Sequence, residues 1–437
     1  MNILRMKSLS NKFSKLSFKR TFSSRPLVMN TINDLYVVAG KEKIVGSWLL
    51  TVSASVFSII AIGGYTRLSK SGLSMVTWKP HMEKLPRTQE EWEKEFEFYK
   101  QYPEYKVCNK DMTLEGFKYI YFVEWFHRMI GRSIGVLFFV PMVYFWTRGY
   151  LRRRLKIIIW SLFGLGAIQG GIGWWMVKSG LVDKNKTNEV DKTPRVSPYR
   201  LSVHAGTAYT IYSVCLWQSF HLLRRPQENY VTMKNLLEHN MMRTSLRRLF
   251  FILTSVYLTG YFVAGNQAGY AWNTFPKIGD DWILKSKHLN HDIPFWKNLT
   301  ENKLVVQVVH RTLACGVVGL YAYNLYKLLK LNLSSRARFS LYLLTVILGT
   351  QVGIGIKVIH NNVPLELGSL HQIGAVTVLT AFLFALHSCR KVDIRHIRNL
   401  FGKLKIENPD LYKKLLDQYK GGNNPEKLVK ALNRYRR

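Results

Sequence analysis

Apolar residues fall along the chain in eight blocks, at 44–64, 117–146, 155–177, 200–223, 246–265, 303–326, 339–359 and 365–389. At a helix rise of about 1.5 Å per residue, each block is long enough to cross a hydrocarbon layer of ~30 Å. The pattern predicts an all-α integral membrane protein with eight transmembrane helices. Into the second block the sequence sets Glu124-Trp125-Phe126-His127-Arg128-Met129-Ile130-Gly131-Arg132. Ionisable groups at membrane depth are costly, so this stretch is the first candidate for function. The steps from Glu124 to His127 and from Glu124 to Arg128 are helical spacings that share one face.

The polar connectors assign the sides. Arg148–Lys156 carries five basic and no acidic residues, Arg224–Arg248 six against two, and Lys327–Arg338 four against none. The alternate connectors are near balance, with nine of each sign in Arg67–Glu115 and five against four in Lys277–Lys303. The positive-inside rule then places the N-terminus, the basic connectors and the C-terminal tail on one side. His127, His204, His310 and His371 each precede by about 20 residues the basic residue that ends their block, which sets all four at one depth near the opposite boundary.

The blocks also repeat. In residues 44–223 and 246–389 the first block leads into a Gly-rich connector, at Gly63-Gly64-Tyr65-Thr66-Arg67 and Ala264-Gly265-Asn266-Gln267-Ala268-Gly269. The second carries His127-Arg128 or His310-Arg311. The third carries Gln169-Gly170-Gly171-Ile172-Gly173 or Gln351-Val352-Gly353-Ile354-Gly355, and the fourth a lone His204 or His371. Four helices per unit is an even number, so the expectation is two four-helix bundles related as parallel repeats.

Composition refines this picture at the ends. Residues 1–33 hold Arg5, Lys7, Lys12, Lys15, Lys19, Arg20 and Arg25 with many serines, no acidic residue and no continuous apolar run. That is the composition of a mitochondrial transit peptide, with a basic tail as the alternative. The basic connectors then face the matrix, as does the basic extension 390–437, which suits the anionic surface of membrane lipid. Of the 437 residues, Lys+Arg number 63 against 27 Asp+Glu, a net +36. Because this charge is spread over connectors and tails without a nucleic-acid motif, no nucleic-acid partner is expected. Cys108, Cys215, Cys315 and Cys389 are too scattered for a zinc spacing or a deduced disulfide. Any partner of Cys108 would sit on another chain, which leaves a homo-oligomer open.

Two histidines per four-helix unit, at matched depth, suit a bis-imidazole haem site in a bundle core. Copper or a proton relay would satisfy the same spacing. The glycine faces serve either close helix packing or room for a flat macrocycle. Trp78, Trp174 and Trp175 read as interfacial aromatics. One asymmetry separates the units: Glu124 stands three residues before His127, whereas Gln307 stands three before His310. Two identical electron-carrying sites would not need a carboxylate in one only. A carboxylate facing a substrate could move a proton or stabilise developing positive charge, and an ion pair with Arg128 is the structural alternative.

At these residues the chain resembles the haem A synthase family, mitochondrial type. The likeness covers residues 44–389 and rests on Gly64-Tyr-Thr-Arg-Leu-Ser-Lys-Ser-Gly-Leu-Ser-Met-Val-Thr-Trp-Lys-Pro80, Glu124–Arg128, Gln169–Leu181 and Asn273-Thr-Phe-Pro-Lys277. The resemblance implies a multi-pass enzyme of the mitochondrial inner membrane that oxidises the C8 methyl of haem O, in successive two-electron steps, to the formyl group of haem A for cytochrome c oxidase. It implies haem b as cofactor between His310 and His371, substrate haem O between His127 and His204, and Glu124 as the catalytic carboxylate. It further implies a ferredoxin-type electron donor, with haem O synthase and cytochrome c oxidase assembly factors as partners. Two features depart from the family: Gln267 replaces the usual Asp of the Ala-Gly-x-Asp-Ala-Gly turn, and the paired connector cysteines of some bacterial relatives are missing. The competing expectation is a di-haem membrane cytochrome that carries electrons without substrate chemistry; a haem chaperone or transporter is the third.

Overall fold

The computed structural model describes residues 36–79, 83–182, 193–224, 233–331 and 333–389, with the single position 409. Residues 1–33, read as a transit peptide, the tail beyond Cys389 apart from position 409, and the basic connector at 225–232 lie outside them. By compactness, residues 33–225 and 242–388 form one unit, and 1–32, 226–241 and 389–437 another. The site belongs wholly to the former.

Eight long helices carry the fold: α1 Glu42–Leu68, α2 Leu114–Thr147, α3 Arg153–Gly180, α4 Pro198–Leu223, α5 Met233–Gly265, α6 Lys303–Leu329, α7 Ser335–His360 and α8 Leu365–Ser388. No strand occurs among the described residues. Their starts are chemically marked. The side chains of Thr113, Asn302 and Ser334 accept hydrogen bonds from the first backbone amides of α2, α6 and α7, which satisfies donors a helix leaves orphaned. Within α2, Pro141 has no N–H for the Leu137 carbonyl, and Trp48 Nε1 of α1 donates to that oxygen at 3.1 Å.

Seven of these helices are long and apolar enough to cross a membrane. The one outside that set is α4, although the sequence predicts eight crossings. Its 26 residues have the length, but Ser202, His204, Thr207, Gln218 and Ser219 dilute its apolar character. It packs against α1, α3 and α8, with Ser202, Gln218 and Ser219 buried. Its polar side chains thus meet protein where a peripheral helix would meet lipid.

Helices α1 to α4 close a ring, α1 on α2 and α4, and α3 on α2 and α4. Val45, Trp48, Leu49, Val52, Met142 and Leu155 fill its core. Helix α8 leans on both α1 and α4, and α7 packs on α8 and α6. One boundary differs from expectation. Gly63 to Arg67, read as the start of a connector, lie inside α1, which runs to Leu68. The two adjacent glycines suggest a turn, but here they serve close approach to α2 and α8.

The connector 69–113 contains two helices the apolar pattern did not signal, Gln89–Lys100 and Pro103–Cys108. The first begins on a reciprocal cap between Thr88 and Glu91. Aromatic stacking fixes this layer to α2, with ring centroids 5.0 Å apart for Phe96 and Phe117 and 5.1 Å for Tyr99 and Phe117. Those contacts end about two turns before Glu124. In the connector after α5, Gln267 takes a left-handed φ of 54°, so the position that carries Asp in relatives is here a turn residue. Further on, hydrogen bonds from Lys285 and Lys287 pull the Asp281 carboxyl down to about 2.

Candidate functional site

Each of the four predicted histidines lies half-buried against a glycine of the preceding helix. A Cβ added at Gly63 would come within 2.9 Å of the His127 Cε1, and one at Gly173 within 3.0 Å of His204. At Gly260 the distance is 3.2 Å to His310, and at Gly355 it is 2.9 Å to His371. So α1 seats the imidazole of α2, α3 that of α4, α5 that of α6, and α7 that of α8. Only glycine leaves the ring this room. Gly170, Gly171 and Gly353 have nothing within 4 Å of an added Cβ. They border open space, and the close-packing explanation does not apply to them.

The histidines meet in the expected pairs: His127 and His204 lie within electrostatic reach of each other, as do His310 and His371. Among the described residues no Nε2 of the four is hydrogen-bonded within the protein, and none is among the buried unpartnered atoms. All four therefore face open space. The Nδ1 atoms divide the pairs. His310 Nδ1 lies 3.1 Å from the Val256 carbonyl and 3.0 Å from Thr259 Oγ1. Donation to the carbonyl puts the ring proton on Nδ1 and leaves the Nε2 lone pair free, the tautomer a metal ligand needs. Gln351 Nε2 sits 3.1 Å from His371 Nδ1. The same Nε2 donates to the His371 carbonyl at 2.9 Å, and the Gln351 Oε1 has no partner. His127 Nδ1 and His204 Nδ1 are buried with no hydrogen bond. Gln169 turns away from His204 Nδ1: its Nε2 donates to the His204 carbonyl at 2.8 Å and its Oε1 accepts from Thr207.

Glu124 is 4 % exposed. Arg128 Nε donates to Oε1 at 2.7 Å, which realises the ion pair. Arg128 also donates to the carbonyls of Thr77 and Met75 at 2.7 and 2.8 Å, tying the connector across the helix. Oε2 has no protein partner among the described residues and points toward Gly72, whose added Cβ would stand 3.8 Å away. One carboxylate oxygen is fixed and the other is free to accept a proton. At the matching place, buried Gln307 donates to the Ala268 and Trp272 carbonyls at 3.1 and 3.0 Å. It serves as a structural cross-link.

Sequence reasoning missed the second layer around Glu124. Glu83 is buried and pairs with Arg128 at 3.7 Å and Arg132 at 3.3 Å. Glu104 is buried in the connector, where it accepts from the Tyr99 hydroxyl at 3.0 Å. Burial pushes its carboxyl up to about 7; the Tyr99 hydrogen bond opposes that shift, the Glu124 charge adds to it, and Lys70 opposes it. No local pattern marks these residues in a charge-balanced connector that reads as a solvated surface. Trp78 and Trp174 stack with centroids 6.2 Å apart, and half-exposed Trp175 lies under the Arg200 guanidinium. No group of three or more His, Cys, Asp or Glu arranged for a metal ion occurs among the described residues, and Cys108, Cys215, Cys315 and Cys389 form no disulfide there.

Residues 46–383 match the family described as "Cytochrome oxidase assembly protein". The chain is similar to heme A synthase COX15 of Homo sapiens, at 39% identity over 381 residues, covering 84% of this chain and 90% of that protein. It is similar to heme A synthase COX15 of Saccharomyces cerevisiae at 37% identity over 425 residues, with coverage of 89% and 86%. The heme A synthase of Nitrosospira multiformis is 38% identical over 353 residues, with coverage of 80% and 94%. Likeness of this extent, spanning every residue of the histidine pairs and Glu124, shows that the chain belongs to the COX15-CtaA family.

Proposed function

We propose that this protein is a haem A synthase, an oxidoreductase that converts haem O to haem A. The observation that carries the reading is the lone carboxylate: two matching imidazole pairs occur, and only one has an acid with an open oxygen beside it. In this reading α1 to α8 all cross the mitochondrial inner membrane, as two parallel-repeat four-helix bundles with both termini in the matrix and residues 1–33 removed as a transit peptide. The four glycine seats, one per consecutive helix pair, support the repeat. The protection of α4 by its neighbours supports its crossing despite its polarity.

The second half holds haem b through His310 and His371, and the first half holds haem O through His127 and His204. The residues fit these groups. Glycine seats leave the ring edges open, the Val256 carbonyl selects the ligating tautomer of His310, and Gly170, Gly171 and Gly353 border unfilled space. Haem b would supply one-electron redox chemistry. Imidazoles locked from behind suit a resident cofactor, and imidazoles without such partners suit a group that must leave as product.

With water supplying the oxygen, each two-electron oxidation of the substrate carbon breaks a C–H bond, forms a C–O bond and releases two protons and two electrons. Glu124 Oε2 accepts a proton at that face, while Arg128 holds the other oxygen in place. The connector 69–113, clamped by the Phe96, Tyr99 and Phe117 stack, covers this end. Electrons leave or enter through a ferredoxin-type partner. The product passes to cytochrome c oxidase assembly, with haem O synthase upstream.

Extraction of the haems that copurify with the intact chain tests this reading. Farnesylated haem together with haem b is expected. Haem b alone, at two per chain, would favour the di-haem electron carrier, and delivery of haem unchanged to an acceptor would favour a chaperone.

A further inference from the structure

Arg67 is a guanidinium without a partner. It lies in the last turn of α1, and among the described residues it makes no hydrogen bond or ion pair. Its Nε is buried and unsatisfied. Its neighbours in the same layer are fully engaged: Arg128 donates to Glu124, Thr77 and Met75, and Arg132 to Lys79 and Glu83. A guanidinium offers five donors in a fixed fork, and burying one with no acceptor is costly. The helix C-terminus favours a cation electrostatically, but it supplies no acceptor to a buried Nε.

The helix geometry says what Arg67 faces. Gly63, one turn earlier on the same face, is the seat of the His127 ring. Gly64 and Leu68 form the adjacent face and meet Gln372 and Gly368 of α8. Arg67 therefore stands beyond His127, toward the end of α1, on the rim of the first-half pocket, with Tyr270 in its electrostatic surroundings. Counting from the glycine seats, the second half has Ala264 at this place. The cation belongs to one pocket only.

We propose that Arg67 is a carboxylate-binding residue of the first pocket, holding a propionate of the tetrapyrrole whose iron lies between His127 and His204. The proposal rests on the assignment of the first half to haem O and adds how that substrate is oriented. A propionate fixed at Arg67 sets the rotation of the macrocycle about its iron axis, which decides the ring methyl presented to Glu124. A lipid phosphate is the other anion that could reach this rim, and it would leave haem binding indifferent to the propionates.

Haem O and its propionate dimethyl ester are titrated by absorption into the purified full chain, for the wild type, Arg67→Gln, Arg67→Lys and His127→Ala. Wild type is expected to bind the ester ~10- to 100-fold more weakly than haem O, the range of one charge-assisted hydrogen-bonded pair. Arg67→Gln should bind haem O weakly by a similar factor and lose most of the discrimination between the two ligands. Arg67→Lys should fall between. Without added haem O, Arg67→Gln should melt at or above the wild-type temperature, because it removes a buried N–H that has no acceptor. Wild-type affinity or undiminished ester discrimination in Arg67→Gln would overturn the proposal, as would a large loss of stability. If wild type shows no His127-dependent binding of haem O, the assignment of the first half fails and takes this proposal with it. Intact His127-dependent binding with no role for Arg67 defeats the proposal alone.

Discussion

In the second half, the His310 Nδ1 reaches the Val256 carbonyl and the Thr259 hydroxyl; in the first half, the His127 Nδ1 is buried with nothing to bond, because Ile62 stands where Thr259 does. The other imidazoles differ in the same sense. Gly374 follows His371 by one turn and leaves space that the Gln351 side chain fills, an added Cβ falling 2.0 Å from its Oε1. Thr207, at the same step after His204, instead binds Gln169 and draws it from the ring. At the carboxylate position Gln307 is a cross-link, while Glu124 keeps one oxygen open. On the proposed assignment, the pocket with braced imidazoles is the one that retains its haem, and the pocket with an open carboxylate oxygen and an unpaired cation is the one that does the work.

The comparison can be broken by exchanging its parts. The largest effect is expected from His310→Ala, which should remove most of the stably bound haem b, read as absorbance per mole of purified chain. His127→Ala should leave that signal in place and abolish haem O binding. Unchanged spectra in both variants would reject the ligand assignment. Next comes Gly374→Thr, which forces the Gln351 amide off the His371 ring. Loss of such an outer partner weakens metal-ligand binding by ~10- to 100-fold, so haem b should dissociate faster in a haem-transfer assay. The converse change, Ile62→Thr, offers His127 a hydroxyl. It is expected to slow release from the first pocket by a few-fold, on the order of the ~1 kcal/mol a hydrogen bond contributes, seen as slower product release in rapid kinetics.

The smallest effect concerns the connector. Glu104 holds its proton in the folded protein up to about pH 7, against an ordinary value of 4.5. Between those values the folded chain binds more protons than the unfolded one. This contribution to stability is full below about 4.5 and is lost as pH rises through about 7. Glu104→Gln should flatten that part of the stability profile in a thermal-melt series, and an unchanged slope would place the titration elsewhere.

Much of the site was legible in the sequence because membrane depth makes ionisable residues conspicuous. His127, His204, His310 and His371 stand out from apolar blocks at repeated spacing, and the exchange of Glu124 for Gln307 is visible by aligning the two His-Arg pairs. The helices followed from the same blocks, apart from the two in connector 69–113. There the Thr88 and Glu91 cap was present as a signal, but a highly charged connector with scattered aromatics has no long apolar face to announce it. Gly63 was misplaced because two adjacent glycines suggest a turn, whereas the close approach of His127 is the reason for the first of them. Ile62, Thr207, Thr259 and Gly374 are ordinary helix residues whose meaning lies in a ring on another helix, which no local pattern encodes.

The central claim is that the halves share their grip on tetrapyrrole and differ in the acid. Mass and absorption analysis of the haems bound to the Glu124→Gln variant, beside the intact chain, tests it most directly. The account predicts both haems retained and haem A formation reduced by ~10²- to 10⁴-fold, the usual contribution of a positioned acid or base. Haem A formed at the wild-type rate, with both haems in place, would contradict it.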